Sequence, residues 1–216
     1  MSHFLKQGAL LLPRRNSLII PKLIGTSSSQ TGDPTIPTHS SKNLIVVACG
    51  AAATTIPTEE TGNGWTRSFG VAHTGNNASV AVFTKYAVGS SNPINITGDS
   101  ALRVAWVFEN AIWDSAVNAE GTNATLNFAA HTPAAPSLVG VFMYTPTAQT
   151  SAAAAFAGIL ASGFTQRANR NLSSAGWAGD SGTNLLTSFD PADGTFDTSP
   201  AKWLCLSFAV RGGIPA

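Results

Sequence analysis

The two halves of the chain repeat one order of short apolar runs and turns, at an interval of roughly 100 residues. Residues 44–48 (LIVVA) open the first half and residues 138–142 (LVGVF) open the second. A Gly-aromatic-Thr turn follows each opening run, beginning at Gly64 and Gly163. Two later runs also recur: 81–87 is matched by 185–191, and 104–110 by 204–210. The repeat, over 43–112 and 137–212, predicts one β unit used twice, with the units supplying facing or interleaved sheets of a single sandwich.

The apolar runs have the two-residue period of β-strands. In residues 102–109 the even positions are large and apolar, whereas the odd positions include Arg103 and Glu109, as in a strand with one face in the core. Polar turn clusters separate the candidate strands, which are 43–50, 65–72, 79–88, 102–109, 123–130, 137–144, 164–169, 184–189 and 204–210. The Ala-rich stretch 151–162 is the exception. It favours one short helix that ends before Gly163, with an Ala-rich strand or loop as the alternative.

The composition excludes two classes of partner. Charged residues make up 11% of the chain, and its net charge is +1. Nucleic-acid binding requires clustered Lys and Arg side chains that neutralise phosphates, so we expect no nucleic-acid partner. A transmembrane helix needs about 20 consecutive apolar residues. Because no such run occurs, we expect no membrane partner either.

Residues 1–42 differ in charge and composition from the rest of the chain and are predicted to form an extended N-terminal arm. They carry five basic side chains and one acidic side chain, whereas residues 43–216 carry seven basic and ten acidic ones. Short apolar runs broken by proline are followed by a stretch rich in Ser, Thr, Gly and Pro, which is typical of extended chain and not of helix. The runs are too short for the apolar part of a signal peptide.

The apolar content of this arm predicts that it docks on another protein. Leaving so many large aliphatic side chains in water forgoes about 1.5–3 kcal/mol for each one that a partner would bury fully. A flexible tail is the alternative, and the Ser- and Gly-rich residues 25–41 alone would fit it. The side chains assigned to assembly are Leu10, Leu11, Leu12, Arg14, Arg15, Leu18, Ile19, Ile20, Leu23 and Ile24.

The order of these pieces resembles that of jelly-roll proteins encoded by tailed bacteriophages. The pieces are 44–48, Gly64–Thr66, 81–87, 101–108, 138–142, Gly163–Thr165 and 203–212, the last of which contains Val-Arg-Gly. The resemblance implies an all-β, jelly-roll-like antiparallel sandwich over residues 43–216. It also implies a structural role in the virion, as a head decoration or a tail or fibre component made in the cytoplasm of the host bacterium. Its partners would be further copies of itself and other virion proteins.

No motif points to catalysis, so we expect no enzyme and no cofactor. The four histidines, His3, His39, His73 and His131, lack the spacing of a zinc site. A Ser-His-Asp set can be drawn on paper from His73 or His131 with Asp99 or Asp114, but the chain has no Gly-x-Ser-x-Gly turn. Asp190, Asp193 and Asp197 miss the spacing of a helix-flanked calcium loop and are interpreted as turn residues.

Two further features leave alternatives open. Cys49 and Cys205 lie on the first and last predicted strands of the sandwich, so free buried thiols are favoured but a disulfide is the alternative. Among the five tryptophans, Trp113 and Trp177 are flanked by polar residues or glycines and are the candidates for contact with a host surface glycan. A lectin-like receptor-binding module is therefore the alternative function.

Overall fold

The fold is an all-β antiparallel sandwich built from two similar units, which confirms the predicted fold class. The computed structural model describes residues 19–60, 62–75, 77–98, 100–150, 155–197 and 202–215. The strands are β1 (Lys22–Ser29), β2 (Leu44–Ala51), β3 (Thr66–Ala72), β4 (Ser79–Tyr86), β5 (Ser100–Glu109), β6 (Ala111–Gly121), β7 (Thr125–Leu126), β8 (Ser137–Thr145), β9 (Thr165–Asn171), β10 (Ala175–Asp180), β11 (Gly194–Thr195) and β12 (Trp203–Gly212). One short helix, α1 (Ala157–Ala161), lies between β8 and β9.

Each half of the chain forms one five-stranded sheet with the same strand order. Sheet 1 has the order β1-β5-β2-β4-β3, and sheet 2 has the order β6-β12-β8-β10-β9. Counted along the chain, the five strands of sheet 1 correspond one to one with those of sheet 2. The units therefore supply facing sheets, one of the two arrangements that the sequence left open. Asn110, in the left-handed region with φ of 54°, joins β5 directly to β6 where the chain passes from sheet 1 to sheet 2.

The two units also share their β-bulges, which shows how closely the repeat is kept. In β3 the register shifts between Arg67 and Phe69, and in β9 it shifts at the same distance from the Gly-aromatic-Thr turn, around Arg167. The edge strands β1 and β6 each carry a bulge opposite equivalent positions of β5 and β12, at Ile24 and Asp114. A bulge re-aims the side chains that follow it, so both units place their edge strands with the same local bend.

The sheets face each other in opposite order, so that the edge strand β1 lies against β9, and the chain just after the edge strand β3 bonds to the end of β6. Arg170 of β9 donates to the carbonyl of Gln30, just after β1, at 2.5 Å. His73, just after β3, donates from Nε2 to the carbonyl of Gly121 in β6 at 3.1 Å. The central strands β2 and β8 lie opposite each other. The units are thus related by an approximate two-fold axis that passes between β2 and β8.

Three apolar layers explain why the central strands are buried along their whole length. The first layer fills the space between the sheets and includes Val46, Trp106, Phe142 and Phe208. The other two lie on the outer faces, where loops cover sheet 1 and α1 with further loops covers sheet 2. Both faces of β2 and β8, and of β4 and β12 except at their last two residues, are therefore removed from water, and their sequences read as nearly continuous apolar runs.

Several boundaries differ from those expected. Strands β6 and β10 were not predicted, whereas residues 184–189 form only isolated bridges, at Leu186 and Phe189. Of the predicted strand 123–130, only β7 is a strand, and it pairs with β11 outside both sheets. The helix is shorter than the predicted 151–162, of which 151–154 lie outside the described residues. It ends before Gly163, whose φ of 91° suits glycine, as expected.

Residues 22–29, which the sequence analysis placed in the arm, form β1, the counterpart of β6. The sequence did not predict this strand because an edge strand rich in serine has little apolar periodicity. Loop residues 30–43 then cover the outer face of sheet 1, where Ile36 packs against the core. The sandwich thus extends back to residue 22.

Candidate functional site at the start of the first strand

The residues assigned to assembly fall into two groups. Leu10, Leu11, Leu12, Arg14, Arg15 and Leu18 lie outside the described residues. The structure describes the other four. Ile19 and Ile20 precede β1, and Leu23 and Ile24 lie within it, at the edge of sheet 1. Leu23 is partly buried and packs against the core between the sheets. The three isoleucines are exposed, with Ile20 at 56% and Ile19 and Ile24 at 37% each.

Alternation along β1 determines which of these side chains faces water. Successive side chains of a strand point to opposite faces, so Ile24 points away from the core because its neighbour Leu23 packs inward. Leu23 pairs with Phe108 and Gly25 pairs with Val107, so Ile24 is also the extra residue of the bulge and has no partner in β5.

The chain is held closely where it enters β1. The backbone of Ile19 passes so close to Gly212 of β12 that a Cβ at that glycine would lie 1.6 Å from the Ile19 carbonyl oxygen. The same end of the sandwich carries Ile214, which is 67% exposed and follows Gly213, whose amide donates to the Asn110 carbonyl at 3.0 Å. We call Ile19, Ile20, Ile24 and Ile214 the isoleucine edge.

Strand β1 also has a free edge. It pairs with β5 on one side, and no described strand pairs with it on the other. A free edge presents backbone N–H and C=O groups to which an added strand can bond. Its central residues, Thr26, Ser27 and Ser28, are small and polar. An apolar contact surface and an unpaired strand edge therefore lie side by side.

The two tryptophans assigned to glycan contact differ in exposure. Trp177 is fully buried, stacks on Phe156 at 4.1 Å between ring centroids, and donates from Nε1 to Gln166 at 3.0 Å. Trp113 is half-buried, and one face of its ring stacks on Phe208 at 6.0 Å. Both tryptophans therefore pack into the sandwich.

The structure brings a histidine and two serines together. His131 Nε2 lies 2.9 Å from Ser115 Oγ, and its Nδ1 lies 2.9 Å from Ser207 Oγ. His131 is 2% exposed, and burial lowers its pKa although the nearby Asp114 acts in the opposite direction. An imidazole enclosed in this way fastens the segment before β8 to strands β6 and β12. The geometry therefore indicates a structural tie.

Two buried ion pairs were not expected from the sequence. Arg103, which alternation placed on a solvent face, is buried on the outer face of sheet 1 and bonds Asp33 Oδ1 at 2.5 Å and the Ile96 carbonyl at 3.0 Å. Asp180 lies between the sheets, where it accepts from Arg167 and from Trp106 of the opposite sheet. Each pair fastens a loop or a sheet to its neighbour.

Cys49 and Cys205 are free thiols. Cys49 belongs to the outer layer of sheet 1 and Cys205 to the outer layer of sheet 2, so the whole sandwich separates them. Within the described ranges, no group of three His, Cys, Asp or Glu side chains is placed to hold a metal ion. No helix in the described part of the chain is long and apolar enough to cross a membrane.

Comparisons with family models, with curated proteins and with solved structures find no match to this chain.

Proposed function

We propose that this chain is a structural subunit of a tailed-bacteriophage virion, and that it joins its neighbours through the N-terminal segment and the isoleucine edge. The observation that carries the proposal is the exposure of Ile19, Ile20 and Ile24 directly after the apolar residues 10–12 and 18. The resemblance to phage jelly-roll proteins supplies the virion setting. The site offers contact surface and no reactive constellation, which fits assembly and not catalysis.

The energy of such a contact is sufficient for an assembly that uses many copies. Burying the exposed remainder of each isoleucine side chain contributes about 1–2 kcal/mol. A partner strand that pairs with the free edge of β1 adds backbone hydrogen bonds, each with a net contribution of about 0.5–1.5 kcal/mol. Residues 1–18 bring five further leucines and a net positive charge from Lys6, Arg14 and Arg15.

The test separates assembly from folding. A variant that lacks residues 1–18 keeps β1 and is expected to stay folded but to lose co-sedimentation with the particle or, in isolation, self-association measured by light scattering. Deletion to residue 30 is unsuitable because it also removes β1, which covers the edge of β5.

A second variant tests the isoleucine edge in the full chain. Ile20→Asp combined with Ile24→Asp places charge on exposed positions and is expected to weaken assembly at least tenfold, with an unchanged melting temperature. Leu172→Asp is the matched control, because Leu172 is equally exposed (56%) but lies in the turn between β9 and β10. The proposal would be refuted if the Ile20/Ile24 variant, the Leu172 control and the 1–18 deletion all assembled as well as the unaltered protein.

A further inference from the structure

The two-fold repeat allows one surface of the protein to be compared with its own counterpart. Thr66 pairs with Thr84 in sheet 1, and Thr165 pairs with Asp180 in sheet 2, so the two Gly-aromatic-Thr turns occupy equivalent places. Trp65 therefore corresponds to Phe164. By the same register Arg67 corresponds to Gln166, and Lys85 corresponds to Ser181.

In sheet 2 the aromatic ring at this place is buried. Phe164 is 7% exposed and packs on Phe189, with 5.0 Å between ring centroids. Gln166 is exposed, but its side chain accepts a hydrogen bond from the buried Trp177. Ser181 is buried and donates to the carbonyl of Asn184 at 2.8 Å. The ring therefore belongs to the outer apolar layer of sheet 2, and the amide and the hydroxyl each bond within the protein.

In sheet 1 the same place is open and polar. Trp65 is half-buried and borders a cavity of about 240 Å³, whose other lining residues are Thr58, Glu59, Arg67 and Phe83. The indole is fixed in orientation because its Nε1 donates to the Pro93 carbonyl at 2.9 Å. Lys85 Nζ lies 5.8 Å from the centre of the ring.

The comparison indicates that the fold does not require Trp65, Arg67 and Lys85 at these positions. The equivalent backbone in sheet 2 is stable with a buried phenylalanine, a buried hydroxyl and an uncharged amide. Sheet 1 instead holds a large aromatic ring beside two cations at the surface, where Arg67 is exposed and Lys85 is half-buried. Exposed aromatic and cationic groups around a concave surface are typical of a binding site.

We propose that this cavity binds an acidic saccharide, through one sugar ring that carries a carboxylate. The apolar face of a sugar ring packs on an indole, as ligands with C–H faces do on aromatic side chains. Arg67, which lines the cavity, and Lys85, whose Nζ lies beside the Trp65 ring, supply charge-assisted hydrogen bonds to the sugar carboxylate. The hydroxyl of Thr58 and the carboxylate of Glu59 lie on the cavity wall, where they meet the hydroxyl groups of the ring. This recognition function is independent of the proposed assembly role.

The decisive variant exchanges the cations for the residues of the other unit. Arg67→Gln combined with Lys85→Ser introduces side chains that the equivalent positions already accept. Lys22→Gln combined with Lys42→Asn is the charge-matched control, because both lysines are exposed and lie on other elements, in β1 and in the loop before β2. Trp65→Ala removes the ring itself, and Trp65→Phe restores the aromatic face found in the other unit.

The full-length protein is first applied to an array of uronic- and sialic-acid oligosaccharides, their neutral analogues and acidic peptides. The best acidic oligosaccharide is then titrated against each variant. We expect binding of acidic but not neutral glycans, loss of about tenfold or more in affinity in the Arg67/Lys85 variant, and partial recovery in Trp65→Phe relative to Trp65→Ala.

Three outcomes would overturn the proposal. The first is that no acidic glycan binds above the level of Trp65→Ala. The second is that the Arg67/Lys85 variant binds as tightly as the lysine control, with both proteins folded by melting temperature. The third is that acidic peptides bind and acidic glycans do not, which would assign the site to a protein partner.

Discussion

Asp180 is the side chain whose replacement tests the architecture most directly, because it joins the two sheets. Its carboxylate is buried at the end of β10 and accepts four hydrogen bonds. Oδ2 accepts from Trp106 Nε1 of sheet 1 at 3.0 Å and from Arg167 Nε at 2.6 Å. Oδ1 accepts from Arg167 Nη2 and from the Gly182 amide, both at 2.9 Å. All four partners are donors.

This arrangement determines the cost of each substitution. In Asp180→Asn one amide oxygen can serve two of the donors, and the new NH₂ group faces the other two, so we expect a loss of about 2–3 kcal/mol. In Asp180→Ala all four bonds are lost and Arg167 is left without its counter-charge. Breaking a buried pair costs about 3–5 kcal/mol, and the lower end applies because the Arg167 side chain is 24% exposed.

The assay is equilibrium unfolding in urea. With a slope of about 2–3 kcal/mol per molar, the midpoint should fall by about 1 M or more for Asp180→Ala and by somewhat less for Asp180→Asn. Arg211→Gln is the control. It removes the pair with Asp114 at 3.4 Å, in which the arginine side chain is 42% exposed, and should cost less than about 1 kcal/mol. If Asp180→Ala cost no more than this control, the tie between the sheets would not exist as described.

Three further outcomes are expected. Burial raises the pKa of Cys49 to about 12 and also raises that of Cys205, so neither thiol should react with a disulfide reagent at neutral pH until urea unfolds the protein. Burial lowers the pKa of His131, so as the pH falls below about 6.5 the unfolded state binds a proton that the folded state does not. Stability should therefore decline with falling pH, and His131→Gln should reduce that slope in urea unfolding. A Cβ at Gly140 would lie 2.1 Å from the Phe208 ring, so Gly140→Ala should cost about 1–3 kcal/mol by the same assay, whereas an unchanged midpoint would contradict that packing.

Four of the predicted strands are buried on both faces, and these have the clearest apolar sequences. β2, β5, β8 and β12 read as apolar runs because the inner layer and an outer layer both contact them. The edge strand β1 reads as polar chain because its exposed edge and small side chains leave no periodic signal. Strand β10 (AGWAGD) was missed because its glycines resemble a turn. Pairing with β8 and β9 determines its conformation, and such pairing is a tertiary effect that local sequence does not report.

The same glycines explain why Trp177 was interpreted as a surface residue. Gly176 and Gly179 flank it in a way that suggests an exposed loop, but each glycine makes room for a large neighbour. A Cβ at Gly176 would lie 2.7 Å from Leu102, and one at Gly179 would lie 2.5 Å from the Trp177 ring itself. Glycine beside an aromatic residue in a strand therefore indicated close packing here, not exposure. Trp65, also next to a glycine, differs because Gly64 has a positive φ of 78° and no neighbour within 4 Å.

The two units differ in which side chains and backbone groups they leave exposed. The outer face of sheet 2 is covered by α1 and by an aromatic layer that includes Phe156, Phe164 and Phe189. The first unit keeps the free edge of β1, the exposed isoleucines and the open cavity beside Trp65. Because both units share strand order and bulges, these differences arise from side chains and loops on a common frame. Both proposed binding surfaces accordingly lie mainly on the first unit, and the second unit supplies the rigid sheet against which the first unit is held.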